Sequence, residues 1–244
     1  MRLHVINPNT SQAMSEKIAE AARQAAHSAE IVMHTNRDGA PSLESHFEEA
    51  LAVPGILRIV DKITREDCAD GILIACFGDP GVHAARELAT VPVMGIAEAA
   101  MRIASTIGRR FSVMTSLART LPMAEAILRD TGLKQCCARL RASELDVAAL
   151  EDIAPKAYQQ LLDACTLAIA EDEIDALVLG CAGMADLTSK LSDSLGIPVI
   201  DGVAAGIQQL EGLAHLGLKP AKTGDRAIPP KKMLHGPYQD LARK

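Results

Sequence analysis

Aromatic side chains are scarce in this sequence: its 244 residues hold no tryptophan, two tyrosines and three phenylalanines. Surfaces that stack bases or sugars need such rings, so a stacking platform is not expected. Excess positive charge is also missing. Against 31 Asp and Glu stand 25 Lys and Arg, a formal net charge of -6, so no global positive field recruits phosphates and no nucleic-acid partner is expected. No run approaches 18 uninterrupted apolar residues, which argues against a membrane-spanning helix and leaves no membrane partner in view. The opening MRLHVINPNTS lacks the charged region and long apolar stretch of a secretory leader, so the expected location is the cytoplasm. In that compartment the six cysteines (Cys68, Cys76, Cys136, Cys137, Cys165 and Cys181) read as reduced thiols. None forms a CxxC pair, and HExxH, P-loop and GxGxxG motifs are absent too, so neither a metal nor a cofactor is expected.

What the sequence does have is a regular alternation of short apolar runs and longer amphipathic segments. RLHVI, EIVMHT, GILIAC, PVMGI, RFSVMTS, CCARLRA, ALVLGC and PVID read as strands. Between them lie helical stretches, among them one through EEALAVPGILRIVDKI and one from about Pro155 to Ala170. This cadence predicts an α/β fold with parallel sheets flanked by helices. It also contains an internal echo at an offset of 105 residues: Asp70 stands six residues before Cys76, and Asp175 six before Cys181. Pro92 and Pro198 open the next strands, and RLHVINPNTS pairs in the same way with RRFSVMTSLART. The echo predicts two pseudo-symmetric lobes with mainly parallel sheets and an active site in the cleft between them. The first lobe is expected over 1–97 plus 207–244 and the second over 98–206. From Leu216 onward, seven basic residues face two acidic ones and four of the twelve prolines occur, so a solvated or docked tail without regular structure is expected.

In parallel sheets, ligands gather where the carboxyl ends of strands meet the following loops. Cys76, Cys181, Asn7, Asn9, Thr115 and Ser116 all fall there. Two thiols at matching strand ends can approach one carbon from opposite faces, one as thiolate removing a proton and the other as thiol delivering one. Each positioned acid or base is worth about 10² to 10⁴ in rate. A free thiol has a pKa near 8.5, and a helix N-terminus and backbone amides after each cysteine are expected to lower it. The small residues of FGDPG and AGM would let backbone N–H groups approach a developing enolate oxygen.

Other residues have mainly structural readings. Cys165 shares helical spacing with Tyr158, Leu161 and Leu162 and reads as core. Cys136 and Cys137 would point to opposite faces of a strand, one buried and one exposed, and Cys68 is assigned no function. Asp79 is expected to orient its loop by accepting backbone N–H bonds, with substrate contact the alternative. His83 reads as a surface residue of a helix rather than a tuner of Cys76, and Glu98 either faces the cleft or caps the next helix.

INPNTS at 6–11, ACFGDPG at 75–81, GIAEAA at 95–100 and LGCAGM at 179–184 together resemble the hydantoin racemase family, allantoin racemases included, within the aspartate/glutamate racemase superfamily. KTGDRAIPPKK resembles the family's tail in degraded form. The resemblance implies a cofactor-independent, homo-oligomeric racemase of 5-substituted hydantoins with Cys76 and Cys181 as opposed acid and base. It also implies that Asn9, Gly78, Thr115, Ser116 and Gly183 hold the ring's carbonyl and N–H groups. Relatives acting on free amino acids carry Asn-Thr or Thr-His after their cysteines. Phe77-Gly78 and Ala182-Gly183 stand here instead, which favours a neutral cyclic ureide. An amino-acid racemase, a one-cysteine decarboxylase or isomerase and a two-lobed binding protein are the alternatives, and the preferred 5-substituent stays open.

Overall fold

A computed structural model describes residues 1–66, 69–150 and 153–242. Two four-stranded sheets, each with all strands parallel, form its framework. The first contains β1 (Arg2–Asn7), β2 (Glu30–Thr35), β3 (Gly71–Ile74) and β4 (Val93–Gly95) in the order β2-β1-β3-β4. The second contains β5 (Phe111–Thr115), β6 (Cys137–Ala142), β7 (Ala176–Gly180) and β8 (Val199–Ile200) in the order β6-β5-β7-β8. The two orders are the same connectivity written twice. In it β1 corresponds to β5 and β3 to β7, the pairing that the sequence echo predicts.

The helices are α1 (Gln12–Ala25), α2 (His46–Glu66), α3 (Val82–Leu88), α4 (Ile96–Ile107), α5 (Leu121–Asp130), α6 (Pro155–Asp172), α7 (Thr188–Leu195) and α8 (Gly202–His215). Sheets covered on both faces need strands apolar on both faces, and the period of two then sorts each strand between two cores. Leu3 and Val5 of β1, Leu73 of β3, Phe111 and Val113 of β5 and Val178 of β7 turn to a central core. Ile6, Ile72 and Ile74 turn outward to α2 and α3, and Leu177 and Leu179 to α6 and α7. The central core is closed by α4 and α8, which supply Ala97, Ala100, Met101, Val203, Ile207 and Leu210. Small residues allow that close fit, since a Cβ at Gly206 would collide with Leu73.

The echoed aspartates do equivalent work. Asp70 accepts the backbone N–H of Arg2 at 2.7 Å, and Asp175 accepts those of Arg109 and Arg110 at 2.8 and 3.0 Å, each tying a cysteine-bearing strand to its neighbour. On the outer face of the first sheet, His4 and His34 stack with ring centroids 5.1 Å apart, and Nδ1 of the first lies 2.8 Å from Nε2 of the second. The tail docks as short turns. Lys222 donates to the carbonyls of Arg86 and Glu87 at 2.7 and 3.2 Å, while Arg58 of α2 holds Asp240 and the Pro237 carbonyl.

Two details depart from expectation. β6 starts at Cys137, because Cys136 closes a turn by donating its N–H to Leu133; both cysteines are half-buried rather than one buried and one exposed. After Cys181 the chain forms a 3-10 turn over Ala182–Leu187 before α7 begins, so no α-helix starts at either cysteine.

Candidate active site

The loops after β1, β3, β5 and β7 converge on a small cavity of about 50 Å³. Asn9, Cys76, Gly78, Thr115, Ser116, Cys181 and Gly183 all line it, and Met14, Leu43, Phe77 and Met123 add apolar wall. A concave, largely apolar site with a few converging polar groups is the usual form of a small-molecule pocket. Asn7, at the end of β1, faces inward instead. Its Nδ2 donates to Asn9 Oδ1 at 2.8 Å and to Ser15 Oγ at 2.9 Å, fixing the loop that carries Asn9. Asn9 Oδ1 also accepts the Ser11 N–H at 2.9 Å, so the group Asn9 can offer a ligand is its Nδ2 donor. Thr115 Oγ1 is 2.9 Å from Thr120 Oγ1 and donates to the Gly180 carbonyl at 3.2 Å.

Each cysteine keeps some accessible surface because it lines the half-open cavity, while protein surrounds the rest of each thiol. Enclosure removes water from both thiols and raises their pKa. Cys181 is pushed up to about 11 by burial, against the backbone N–H of Gly183 and the nearby Lys17 charge, which favour the thiolate. Burial moves Cys76 further up; the Gly78 N–H opposes it, while Glu49 and Cys181 add to the rise. The expected lowering is thus corrected in sign: with no α-helix starting at either residue, backbone amides counter desolvation only in part. Space at the glycines is tight. A Cβ on Gly183 would stand 3.2 Å from Leu150 Cβ and from Met14 Cε and 3.5 Å from Cys181 Sγ.

Glu49 of α2 also lines the cavity, and sequence reasoning missed it. Its carboxylate occupies the space that a Cβ on Gly78 would need, and Oε2 lies 3.6 Å from Nδ1 of His46. Burial raises it to about 7. In the sequence it is one of two adjacent acids in a helical first turn, 27 residues before Cys76, and no spacing links it to the cysteines.

Asp79 has the structural role that was expected. Held at φ 46°, it accepts the N–H groups of Ala97 and Glu98, both at 2.9 Å, and so caps α4 from outside; burial raises it to about 7. Glu98 completes that cap at Gly95 and pairs with Arg86, so the capping alternative holds and it does not line the cysteine cavity. His83 is exposed, 3.6 Å from Asp130. Cys165 is fully buried among Leu161, Leu177 and Leu191, and Cys68 lies outside the described residues.

The family described as Asp/Glu/hydantoin racemase matches residues 3–210. A hydantoin racemase of Rhizobium meliloti is 41% identical over 97% of this chain and 98% of its own. Among solved structures, an allantoin racemase from Klebsiella pneumoniae superposes with a TM-score of 0.95 at 49% identity over 99% of both chains. One from Pseudomonas fluorescens does so with a TM-score of 0.89 at 38% identity, over 97% of this chain and 100% of that one. By the match to most of its length, and by likeness in both sequence and fold, this chain belongs to the Asp/Glu/hydantoin racemase family, and it is an isomerase of the racemase type.

Proposed function

We propose that this racemase inverts C5 of 5-substituted hydantoins, allantoin among them, by two-base proton transfer between Cys76 and Cys181. The observation that carries the reading is that two thiols, following corresponding strands of two like-ordered sheets, line one cavity. For one enantiomer the Cys181 thiolate takes the C5 proton and leaves an enolate; the Cys76 thiol then gives its proton to the opposite face, and the roles reverse for the other hand. The electron pair of the broken C–H bond rests on the C4 carbonyl in between. Asn9 Nδ2 is a donor available to hold that oxygen, while the N–H groups of Gly78 and Gly183 face the two sulfurs. Neither step needs a metal or cofactor.

The lining supports a neutral ring over a free amino acid. No Lys or Arg lies among the lining residues, so the carboxylate of aspartate or glutamate would enter without a cationic partner. Loss of optical rotation from enantiopure hydantoins and allantoin, with aspartate and glutamate run beside them, tests the reaction. Inversion of the amino acids alone would refute the substrate. Cys76→Ser and Cys181→Ser should each abolish racemisation, yet each should still wash solvent deuterium into one enantiomer, with opposite preferences. Identical preferences, or full racemisation by either variant, would remove the two-base assignment.

A further inference from the structure

Asn9 Nδ2 is a donor suited to the carbonyls of a cyclic ureide. The ring's two N–H groups need acceptors, and an N–H buried without one costs binding. Among the described residues, Glu49 is the carboxylate that lines the cavity. It reaches the wall from α2, where Gly78 has no side chain to exclude it, and its own side chain is 14% exposed. Its nearby partner, His46, lies 3.6 Å away with a side chain 71% exposed, so the contact is loose and leaves acceptor capacity on a carboxylate that lines the cavity. Glu49, Gly78 and Met123 are also shared with a neighbouring space of about 230 Å³, which sets the carboxylate at the boundary between the two.

Resting on the function proposed above, we infer that Glu49 is a substrate-binding residue that accepts a hydrogen bond from a ring N–H of the hydantoin. The carboxylate orients the ring so that C5 lies between the two thiols, and it penalises rings whose nitrogen carries no hydrogen. A site built around such a bond discriminates strongly against a ligand that lacks the donor, because its own buried acceptor is then left unpaired.

The test crosses the enzyme with its substrate. Racemisation of a 5-substituted hydantoin and of its N1-methyl and N3-methyl derivatives is followed in the native enzyme, Glu49→Ala and Glu49→Gln. Native enzyme should prefer the parent over one N-methyl derivative by about 10- to 100-fold, the size of a hydrogen bond to a charged group. Glu49→Ala should erase most of that preference by losing activity on the parent while the methylated ring is little changed, with the loss mainly in KM. Glu49→Gln, which keeps the shape and one acceptor, should lie between. Equal losses on all three substrates, or no preference in the native enzyme, would overturn the assignment. Thermal melting of both variants separates a folding defect from a binding one, and the methylated substrate reports on the site even if Glu49→Ala is less stable. Failure of the native enzyme to racemise any hydantoin would instead refute the function on which the inference rests.

Discussion

Cys76 and Cys181 share one cavity but not one environment. Lys17 favours the thiolate of Cys181, whereas Glu49 disfavours that of Cys76. On the proposed mechanism, these neighbours make Cys181 the thiol more readily ionised. Because Cys181 is pushed up to about 11, only a small fraction is thiolate at neutral pH. kcat/KM for a hydantoin should accordingly climb with pH from 7 to 10 rather than level off near 8.5, as initial rates across that range would reveal. Gly183 gives a second prediction at this scale. A Cβ at 3.2 Å from Leu150 Cβ and Met14 Cε must push one of them or the Cys181 loop, so Gly183→Ala should lower kcat/KM about tenfold with the melting temperature little changed. Of the residues around the cavity, the cysteines, Asn9, Thr115 and Ser116 were legible in the sequence because they follow strand ends, where a parallel sheet presents its ligands. Glu49 was not, because it arrives from a helix whose orientation is set by tertiary packing. The direction of the thiol shifts was hidden for the same reason, since enclosure is a property of the assembled loops.

Among the elements, α4 is started partly from a distance. Its N-cap is Gly95, and the N–H groups of Ala97 and Glu98 are met by Asp79, from the loop after β3. That loop also carries Cys76 and Gly78, so one carboxylate ties the site's wall to the helix that closes the central core. Asp79→Ala should strand two buried donors and cost about 1–3 kcal/mol, read as a lower urea midpoint, while Asp79→Asn should recover part of it. The sequence suggested this bond for Asp79 but could not name its partners, 18 and 19 residues away. Strand order was easier to read. Eight apolar runs at βα spacing imply parallel pairing, and Asp70 and Asp175 mark the two strands that bring cysteines to the centre. Pro54, inside α2, did not end that helix, whose buried Ala52, Ile56, Val60 and Ile63 hold it against the first sheet.

For the molecule as a whole, the first sheet has an acid-sensitive seam. His34 is lowered to about 4 by burial first and then by His4 and Lys62, with Glu66 opposing. The folded state thus disfavours the imidazolium, whereas the unfolded chain accepts a proton near 6.5. At this residue protons then bind the unfolded chain preferentially between pH 6.5 and 4, so its contribution to stability is full above that window and is lost as pH falls through it. Glu49 and Asp79, raised to about 7, bind protons preferentially in the folded state and oppose this loss over the same range. From pH 7 to pH 4 the melting temperature of His34→Gln should therefore rise relative to that of the native enzyme, and a difference that stays constant would remove the assignment to His34.

The two sheets repeat one strand order with different side chains, and so the pair of thiols they deliver is unequal. Mirror-image substrates, however, have equal free energies in water, which fixes the equilibrium constant of racemisation at one. The Haldane relation then requires kcat/KM to be identical for the left- and right-handed ring, whatever the asymmetry of the protein. Inequality between the halves can emerge only as a matched change of kcat and KM, with one hand bound more tightly and turned over more slowly by the same factor. Divergence between the halves at such a site alters how long each hand is held, and leaves the catalytic efficiency toward both in perfect balance.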